Sequence, residues 1–314
     1  MWCAHCPTLR LSRFAGITTW WQSGVMTNDM VIRPVAPACG AEVVGIDLVT
    51  MSDGGFGRLR HALAEHGVLF VRGQHLTPEE QLDVTRRFGE VLRVPYITHL
   101  DAYPDIIAVL KEAGEKKIST FGGTWHSDFS FLPEPPSLTL LYAIQLPDVG
   151  GDTLWASQYA AYDALSDGMK SLIDPLRAIQ TAWPHGTKGP GANAATSQSI
   201  GMVRNDSSAD REITQPVVRV HPVTGRKALF VNPVYTQYFE SMTEEESRPL
   251  LQYLFVHATK AEFTCRLRWE PGTLAVWDNR CLLHLAINDY DGSRRLLHRT
   301  TVAGEQPLGA PRQA

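Results

Sequence analysis

Residues 124 to 131 read TWHSDFSF and contain a histidine and an aspartate two positions apart, His126 and Asp128. Side chains two apart on a β-strand point to the same face of a sheet. If this segment is a strand, it presents one imidazole nitrogen and one carboxylate oxygen to the same ion. The segment therefore predicts a β-sheet protein in which one strand carries two metal ligands.

A second segment, WDNRCLLH at residues 277 to 284, ends on another histidine, His284. A strand ending there would bring a second imidazole to the pair. Two histidines and one carboxylate leave coordination positions open, as in non-haem iron(II) oxygenases. Zinc hydrolases use similar ligands, and a histidine and an aspartate at this spacing also occur by chance.

The surrounding segments decide between these alternatives. Arg295 follows His284 by eleven residues, within RRLLHRTTV at residues 294 to 302, and GGDTLWAS occupies residues 150 to 157. A zinc hydrolase needs no arginine at this offset. With these segments in view, residues 31 to 302 closely resemble the family of taurine dioxygenase and 2,4-dichlorophenoxyacetate dioxygenase. Within it, residues 210 to 235 and 257 to 269 look most like enzymes that cleave (R)-2-(aryloxy)propionates such as dichlorprop.

The resemblance implies an enzyme that uses iron(II), 2-oxoglutarate and O₂. By position, His126, Asp128 and His284 would be the iron ligands and the catalytic centre. Arg295 would pair with the distal carboxylate of 2-oxoglutarate, and Thr153 would hydrogen-bond it. A planar, permanently charged guanidinium suits this role because it meets a carboxylate with two hydrogen bonds. The alternative for Arg295 is an ordinary cation on a strand surface.

Arg299 lies an even number of residues beyond Arg295, so on an uninterrupted strand the two share a face. By resemblance it binds the anionic group of the substrate. A second inward arginine is costly to bury unless an anion meets it, which favours an acidic substrate. The alternative is a salt bridge to one of the protein's own carboxylates.

The expected substrate wall differs from that of taurine dioxygenase. Where the pocket of that enzyme uses histidine and tyrosine, this chain reads Val94-Pro95-Tyr96-Ile97, with Val94 and Ile97 as the expected wall residues. It also has Phe121-Gly122-Gly123 where the family pattern shows a further polar residue. An apolar wall suits an aryl or alkyl group better than a small zwitterion. We expect an aryloxyalkanoate, hydroxylated next to its ether oxygen so that an aryloxypropionate yields a phenol and pyruvate.

Two other functions stay open. A sulfonate or alkyl sulfate dioxygenase would use the same three ligands and Arg299. A non-catalytic metal-binding jelly roll would keep the ligands but would have no use for Thr153 and Arg295.

The composition agrees with a cytoplasmic enzyme that acts on a small molecule. The chain has 314 residues, 44% of them hydrophobic, and no apolar run near the roughly 18 residues of a membrane span. A formal charge of −4 provides no basic patch for nucleic acid. Five scattered cysteines indicate free thiols in a reducing compartment. We also expect a homo-oligomer.

Residues 1 to 26 are predicted to be a flexible extension, because they lack the apolar core of a secretory signal and their Cys3 and Cys6 form only a weak metal motif. Residues 27 to 305 form one predicted domain, and residues 306 to 314 a tail. The resemblance and the strand patterns predict a double-stranded β-helix, or jelly roll, with flanking helices and α+β content. Residues 184 to 211 read as an irregular insertion, either a lid at the active-site mouth or a surface loop.

Overall fold

The computed structural model describes residues 30–115, 121–188 and 199–310, which contain a mixture of helices and strands. The predicted extension at residues 1 to 26 lies outside the described residues. The helices are α1 (Asp53–His66), α2 (Pro78–Phe88), α3 (Gln158–Asp163), α4 (Asp167–Ile173) and α5 (Glu244–Ala258). The strands are β1 (Val31–Pro34), β2 (Ala41–Val44), β3 (Val68–Val71), β4 (Ile107–Lys111), β5 (Leu138–Gln145), β6 (Thr153–Ser157), β7 (Arg177–Gln180), β8 (Ile213–Pro216), β9 (Val218–Val220), β10 (Lys227–Leu229), β11 (Thr236–Phe239), β12 (Thr264–Leu267), β13 (Leu274–Asp278), β14 (Leu282–Ala286), β15 (Arg295–Val302) and β16 (Leu308–Gly309).

The largest sheet contains seven strands in the order β1-β2-β3-β13-β5-β15-β4. Its neighbouring strands are antiparallel except β2 and β3, which are parallel. A smaller antiparallel sheet has the order β12-β6-β14. Two further three-stranded sheets, β11-β7-β8 and β10-β9-β16, are built from the later part of the chain together with β7.

Alternating side chains give the large sheet two different faces. On β13, Leu274 and Val276 pack into a cluster with residues of α1 and α2, while Ala275 and Trp277 point to the opposite face. This is the period of two that a strand imposes. The helices therefore cover the outer face of the sheet.

The inner face packs against the smaller sheet. Trp155 on β6 contacts Phe70 on β3, with ring centroids 5.2 Å apart, and Trp277 on β13, with centroids 5.7 Å apart. Both tryptophans are fully buried. Large aromatic side chains thus fill most of the space between the two sheets, and polar groups that also face this layer must find partners there.

Local sequence signals mark the starts of two helices. Thr77 and Glu80 form the capping box that starts α2, and Thr243 and Glu246 form the equivalent box before α5. Strands β9 and β10 form an antiparallel hairpin. No helix among the described residues combines the length and apolar character needed to cross a bilayer.

One prediction about an extended segment needs correction. Residues 126 to 128 are not a strand, because His126 forms only an isolated β-bridge with His284 and the chain turns at Asp128. Phe129 has a φ of 47°, in the left-handed region, which ends the extended backbone directly after the aspartate. At the carboxyl end, the predicted tail contributes β16, which pairs with β9 beyond residue 305.

The capping box of α2 gives a prediction about stability. Thr77 Oγ1 accepts a hydrogen bond from the Glu80 backbone N–H, so Thr77→Ala should lower the free energy of unfolding by about 1 kcal/mol. Urea denaturation followed by circular dichroism measures this change. Thr77→Ser keeps the accepting oxygen and should stay close to the wild type, and equal stability of the alanine variant would contradict the role of the cap.

Candidate active site

Three buried side chains meet between the two packed sheets. His126, Asp128 and His284 each offer one ligand atom, and these atoms all lie within 4.8 Å of one another. Nε2 of His126 and Nε2 of His284 lie 3.6 Å and 3.8 Å from Asp128 Oδ1. The structure therefore brings the three predicted iron ligands together, close enough for their donor atoms to share one ion.

The two histidines are oriented in different ways. His126 Nδ1 lies 2.7 Å from the carbonyl oxygen of Thr124, so Nδ1–H donates there and the lone pair is on Nε2. His284 Nδ1 has no hydrogen-bond partner among the described residues. Its ring is held by packing instead, 4.2 Å from the ring of His126 and 4.8 Å from that of Trp277.

Burial favours the protonation states that a metal requires. Burial, assisted by His126, lowers the pKa of His284 to about 3, so its imidazole is neutral near pH 7. Burial alone would raise the pKa of Asp128, but the charge of Arg299 and the two histidines outweigh it, and the pKa is lowered. Two imidazoles and one carboxylate are the donor set of a facial iron site, so these residues fit an iron(II) ion.

Several of these residues line a cavity that encloses about 410 Å³, including its opening to solvent. The cavity extends from His126 and His284 to Thr153 and Arg295. It is lined by Val109, Phe121, Gly122, His126, Leu141, Thr153, Trp277, His284, Ala286, Arg295 and Arg299. Gly122 has a φ of 77°, and a Cβ there would lie 3.4 Å from His126 Cε1, so glycine keeps this wall close to the ligand.

Arg295 is buried in this cavity without a counter-charge among the described residues. Its Nε donates to the Gly151 carbonyl oxygen over 3.2 Å, and its Nη2 has no hydrogen-bond partner in the described part of the chain. Burial lowers the pKa of Arg295, as expected for a cation removed from water. A buried guanidinium with unused donors is suited to a carboxylate ligand. The alternative of a cation on a strand surface is wrong, since only 3% of the residue is exposed.

Thr153 lies in the same cavity. Its Oγ1 accepts a hydrogen bond from Trp269 Nε1 over 3.0 Å, so the hydroxyl hydrogen is free to point elsewhere. Trp269 also lies under the guanidinium of Arg295, 5.9 Å from its ring centroid. The pair predicted to hold 2-oxoglutarate therefore shares one aromatic neighbour.

Arg299 shares the inner face of β15 with Arg295, as predicted. Its Nη2 lies 3.0 Å from Asp128 Oδ2, but neither Nη2 nor Nε forms a hydrogen bond with the described residues. The contact is thus an ion pair in which the N–H groups do not point at the oxygen. The alternative prediction, a salt bridge to one of the protein's own carboxylates, is therefore met in part by Asp128. The N–H groups on Nε and Nη2 of Arg299 remain available for another anion.

The predicted wall residues Val94 and Ile97 do not line this cavity. Both are buried in a neighbouring cluster that contains Phe129, Phe131 and Tyr235. Residues 96 to 98 in turn pair with residues 201 to 203, at the end of the insertion predicted as a lid or loop. Part of that insertion, residues 189 to 198, lies outside the described residues.

A second group of possible ligands, His221, Asp278 and Cys281, does not resemble a metal site. His221 Nδ1 accepts from two backbone N–H groups, and Nε2 lies 3.0 Å from Asp278 Oδ2. Arg280 binds both oxygens of Asp278. Because these donors and acceptors are already paired, the group is part of the scaffold.

Sequence reasoning missed four residues beside the site. They are Thr139, which donates to Asp128, Asn279, which donates to Thr139, Trp269 and Tyr235. Asn279 belongs to the WDNRCLLH segment, which the sequence analysis used only for His284. No sequence pattern indicates Thr139 or Tyr235.

Comparisons with known proteins agree with this geometry. Residues 32–301 match the family described as "Taurine catabolism dioxygenase TauD, TfdA family". An α-ketoglutarate-dependent sulfate ester dioxygenase of Pseudomonas putida is 31% identical over 91% of this chain and 93% of that protein. An (S)-phenoxypropionate/α-ketoglutarate-dioxygenase of Sphingobium herbicidovorans is 30% identical over 89% of this chain and 97% of that protein. Among solved structures, a taurine dioxygenase from Burkholderia xenovorans superposes with a TM-score of 0.74 and 31% identity, covering 89% of this chain and 93% of that one.

The chain belongs to the TauD/TfdA family of dioxygenases. The predicted enzyme class, a 2-oxoglutarate-dependent non-haem iron dioxygenase using iron(II), 2-oxoglutarate and O₂, is therefore confirmed. The comparisons do not distinguish the predicted subgroup of (R)-aryloxypropionate enzymes, because a sulfate ester relative and an (S)-phenoxypropionate relative match this chain at nearly equal identity.

The geometry of the three ligands gives a prediction about metal binding. His126→Ala and His284→Ala should each lose tight binding of Mn(II), used as a redox-stable substitute for iron(II), because each removes one of three protein donors. The free Mn(II) signal in electron paramagnetic resonance titrations measures this binding. His61→Ala, on the exposed side of α1, is the control, and tight Mn(II) binding by either site variant would contradict the assignment.

Proposed function

We propose that this dioxygenase hydroxylates a small anionic substrate that has an apolar body, with an aryloxyalkanoate as the favoured class. The observation that carries the proposal is Arg299, a buried guanidinium beside Asp128 with unused hydrogen-bond donors. An anion bound there would place the adjoining carbon close to the metal ligands.

In this proposal His126, Asp128 and His284 hold the iron, and Arg295 with Thr153 holds the distal carboxylate of 2-oxoglutarate. Iron(II) with 2-oxoglutarate and O₂ supplies the oxidising chemistry when bound. The contribution of the protein is to position the reactants and to exclude water. Tight packing of Trp155 and Trp277 beside the cavity serves the second task.

Arg299 orients the substrate in this scheme. Its charge is only 3% exposed and is balanced in part by Asp128, which is already needed by the metal. A carboxylate or sulfate that accepts hydrogen bonds from the unused N–H groups would complete the balance. An uncharged substrate would leave those donors unsatisfied, at a cost of a few kcal/mol.

The body of the substrate would meet an aromatic environment. The guanidinium carbon of Arg299 lies 5.4 Å from the centroid of the Phe129 ring. Phe131 packs on Tyr235 with centroids 4.8 Å apart, and Val94 and Ile97 belong to the same cluster. Rings and branched side chains favour an aryl group over the ammonium group of taurine. Val94 and Ile97 would act through this cluster rather than by lining the cavity at the ligands.

The chemistry of the product follows from the oxidised position. Hydroxylation of the carbon that bears the ether oxygen gives a hemiketal, which collapses and breaks the ether bond. An alkyl sulfate hydroxylated next to its ester oxygen would collapse in the same way to an aldehyde and sulfate. We keep this second candidate because a sulfate ester dioxygenase is among the relatives at 31% identity.

We also infer that the two packed sheets form the predicted jelly roll and that the enzyme is cytoplasmic. The face-to-face packing of the large sheet on β12-β6-β14 supports the first inference. Cys39, Cys265 and Cys281, the described cysteines, are free thiols, which supports the second. The homo-oligomer stays a prediction.

Arg295 gives a prediction about the co-substrate. Arg295→Ala should raise the 2-oxoglutarate dissociation constant by a factor on the order of 30 or more, because losing one partner of a buried charge pair costs about 2 to 5 kcal/mol. Calorimetric titration of the Mn(II) protein with 2-oxoglutarate measures it. Arg294→Ala removes the preceding arginine, which pairs with Glu112 at the surface, and should leave the constant unchanged. Equal affinity in the two variants would contradict the role of Arg295.

A substrate panel tests the proposed function. Succinate release should be greater with an aryloxypropionate enantiomer than with taurine, and the methyl ester of that substrate should fail because it has no charge for Arg299. Arg299→Leu should damage substrate use more than 2-oxoglutarate binding. Release of sulfate from an alkyl sulfate, with no phenol from either enantiomer, would favour the second candidate. Sulfite from taurine as the main product would exclude the apolar-substrate proposal.

A further inference from the structure

The backbone around the metal ligands leaves Asp128 without the support of a sheet. Residues 126 to 128 make one isolated bridge, and the chain turns immediately afterwards at Phe129. A carboxylate on such a segment can rotate about two side-chain bonds, so its orientation must come from other side chains.

A buried chain of hydrogen bonds supplies that orientation. Trp277 Nε1 donates to Asn279 Oδ1 over 3.0 Å, and Asn279 Nδ2 donates to Thr139 Oγ1 over 2.9 Å. Thr139 Oγ1 donates to Asp128 Oδ2 over 2.7 Å, the shortest of the contacts between Asp128 and Thr139, Arg299, His126 or His284. All four members of the chain are nearly fully buried.

The direction of this chain is fixed by its first member. An indole N–H can only donate, so the carboxamide of Asn279 must turn its oxygen to Trp277 and its NH₂ group to Thr139. The Thr139 oxygen then accepts from Asn279, and its own hydrogen is directed to Asp128. Each group thus has a single assignment, and the last one delivers a hydrogen bond to an ionised carboxylate.

A second contact connects residues 126 to 128 with Asn279. Ser127, between two of the metal ligands, donates from Oγ to the Asn279 carbonyl oxygen over 2.7 Å, and the Asn279 N–H donates to the Ser137 carbonyl. Asn279 therefore links the turn that carries the ligands to the end of β13 and to the start of β5.

We propose that Thr139, held by Asn279 and Trp277, is a positioning residue that occupies Asp128 Oδ2 so that Oδ1 is presented to the metal. This inference rests on the proposed function, which makes Asp128 an iron ligand. Oδ1 faces both histidine Nε2 atoms, whereas Oδ2 faces Thr139 and Arg299. Carboxylates that bind metals are usually fixed by such outer hydrogen bonds, and their loss weakens the metal about 10 to 100-fold.

The test is Mn(II) affinity of the metal-free full-length protein, measured from the free Mn(II) signal in electron paramagnetic resonance. Thr139→Val removes the hydroxyl and keeps the shape, and the dissociation constant should rise about 10 to 100-fold. Thr139→Ser restores the hydroxyl and should restore affinity. Thr301→Val is the matched control, because Thr301 faces Thr139 in the neighbouring strand β15 and its buried hydroxyl has no partner among the described residues.

Each outcome decides a separate point. Wild-type affinity in Thr139→Val, failure of Thr139→Ser to restore binding, or an equal loss in Thr301→Val would overturn the inference. If circular dichroism shows that Thr139→Val is unfolded, Asn279→Leu takes its place, since it frees the Thr139 hydroxyl to rotate, and unchanged affinity there would also overturn it. Absence of Mn(II) binding by the wild type would instead refute the iron site of the proposed function.

Discussion

Burial of two positive charges on one strand is the constraint around which this site is organised. Arg295 and Arg299 are each 3% exposed and lie on the inner face of β15, where the period of two directs both toward the smaller sheet. Desolvating a guanidinium costs several kcal/mol unless anions or acceptors replace the water. Asp128 compensates Arg299 in part, whereas Arg295 forms no ion pair among the described residues and donates a hydrogen bond to a carbonyl oxygen. A site with more buried positive charge than negative charge is complete only when anionic ligands enter it, which is what a 2-oxo acid and an acidic substrate provide.

Both sheets contribute residues to the site. The large sheet contributes Thr139 from β5 and both arginines from β15, whereas the smaller sheet contributes Thr153 from β6 and His284 from β14. His126 and Asp128 come from neither sheet, and the bridge to His284 and the hydrogen bond from Thr139 connect them to both. The relative position of these residues depends on how the sheets pack, and Trp155 and Trp277 contact each other in that layer.

The sequence predicted what depends on periodicity or on residue chemistry at fixed spacing. The shared face of Arg295 and Arg299 follows from such a local rule, whereas the grouping of His126, Asp128 and His284 was expected from the family resemblance. The strand predicted at residues 126 to 128 was wrong because the left-handed Phe129 is held by packing on Phe131, a contact that spacing does not reveal. The sequence does not single out Thr139, because threonine is a common residue in β-strands. Its proposed role arises from its register opposite Trp277.

If Arg299 binds the substrate anion as proposed, its position is compatible with substrates of different chemistry. Because its Nη2 lies 3.0 Å from an oxygen of a metal ligand, an anion on the same guanidinium is held near the metal, and the carbons within its reach are those one or two bonds away. The α-carbon of an aryloxyalkanoate and the first carbon of an alkyl sulfate both meet this condition. So does the carbon beside the sulfonate of taurine. In the proposed function, discrimination among these substrates therefore depends on the part of the substrate remote from its anion. The apolar cluster of Phe131, Tyr235, Val94 and Ile97 is the proposed source of that discrimination, because it packs beside the site without contributing a candidate ligand for the metal or the co-substrate.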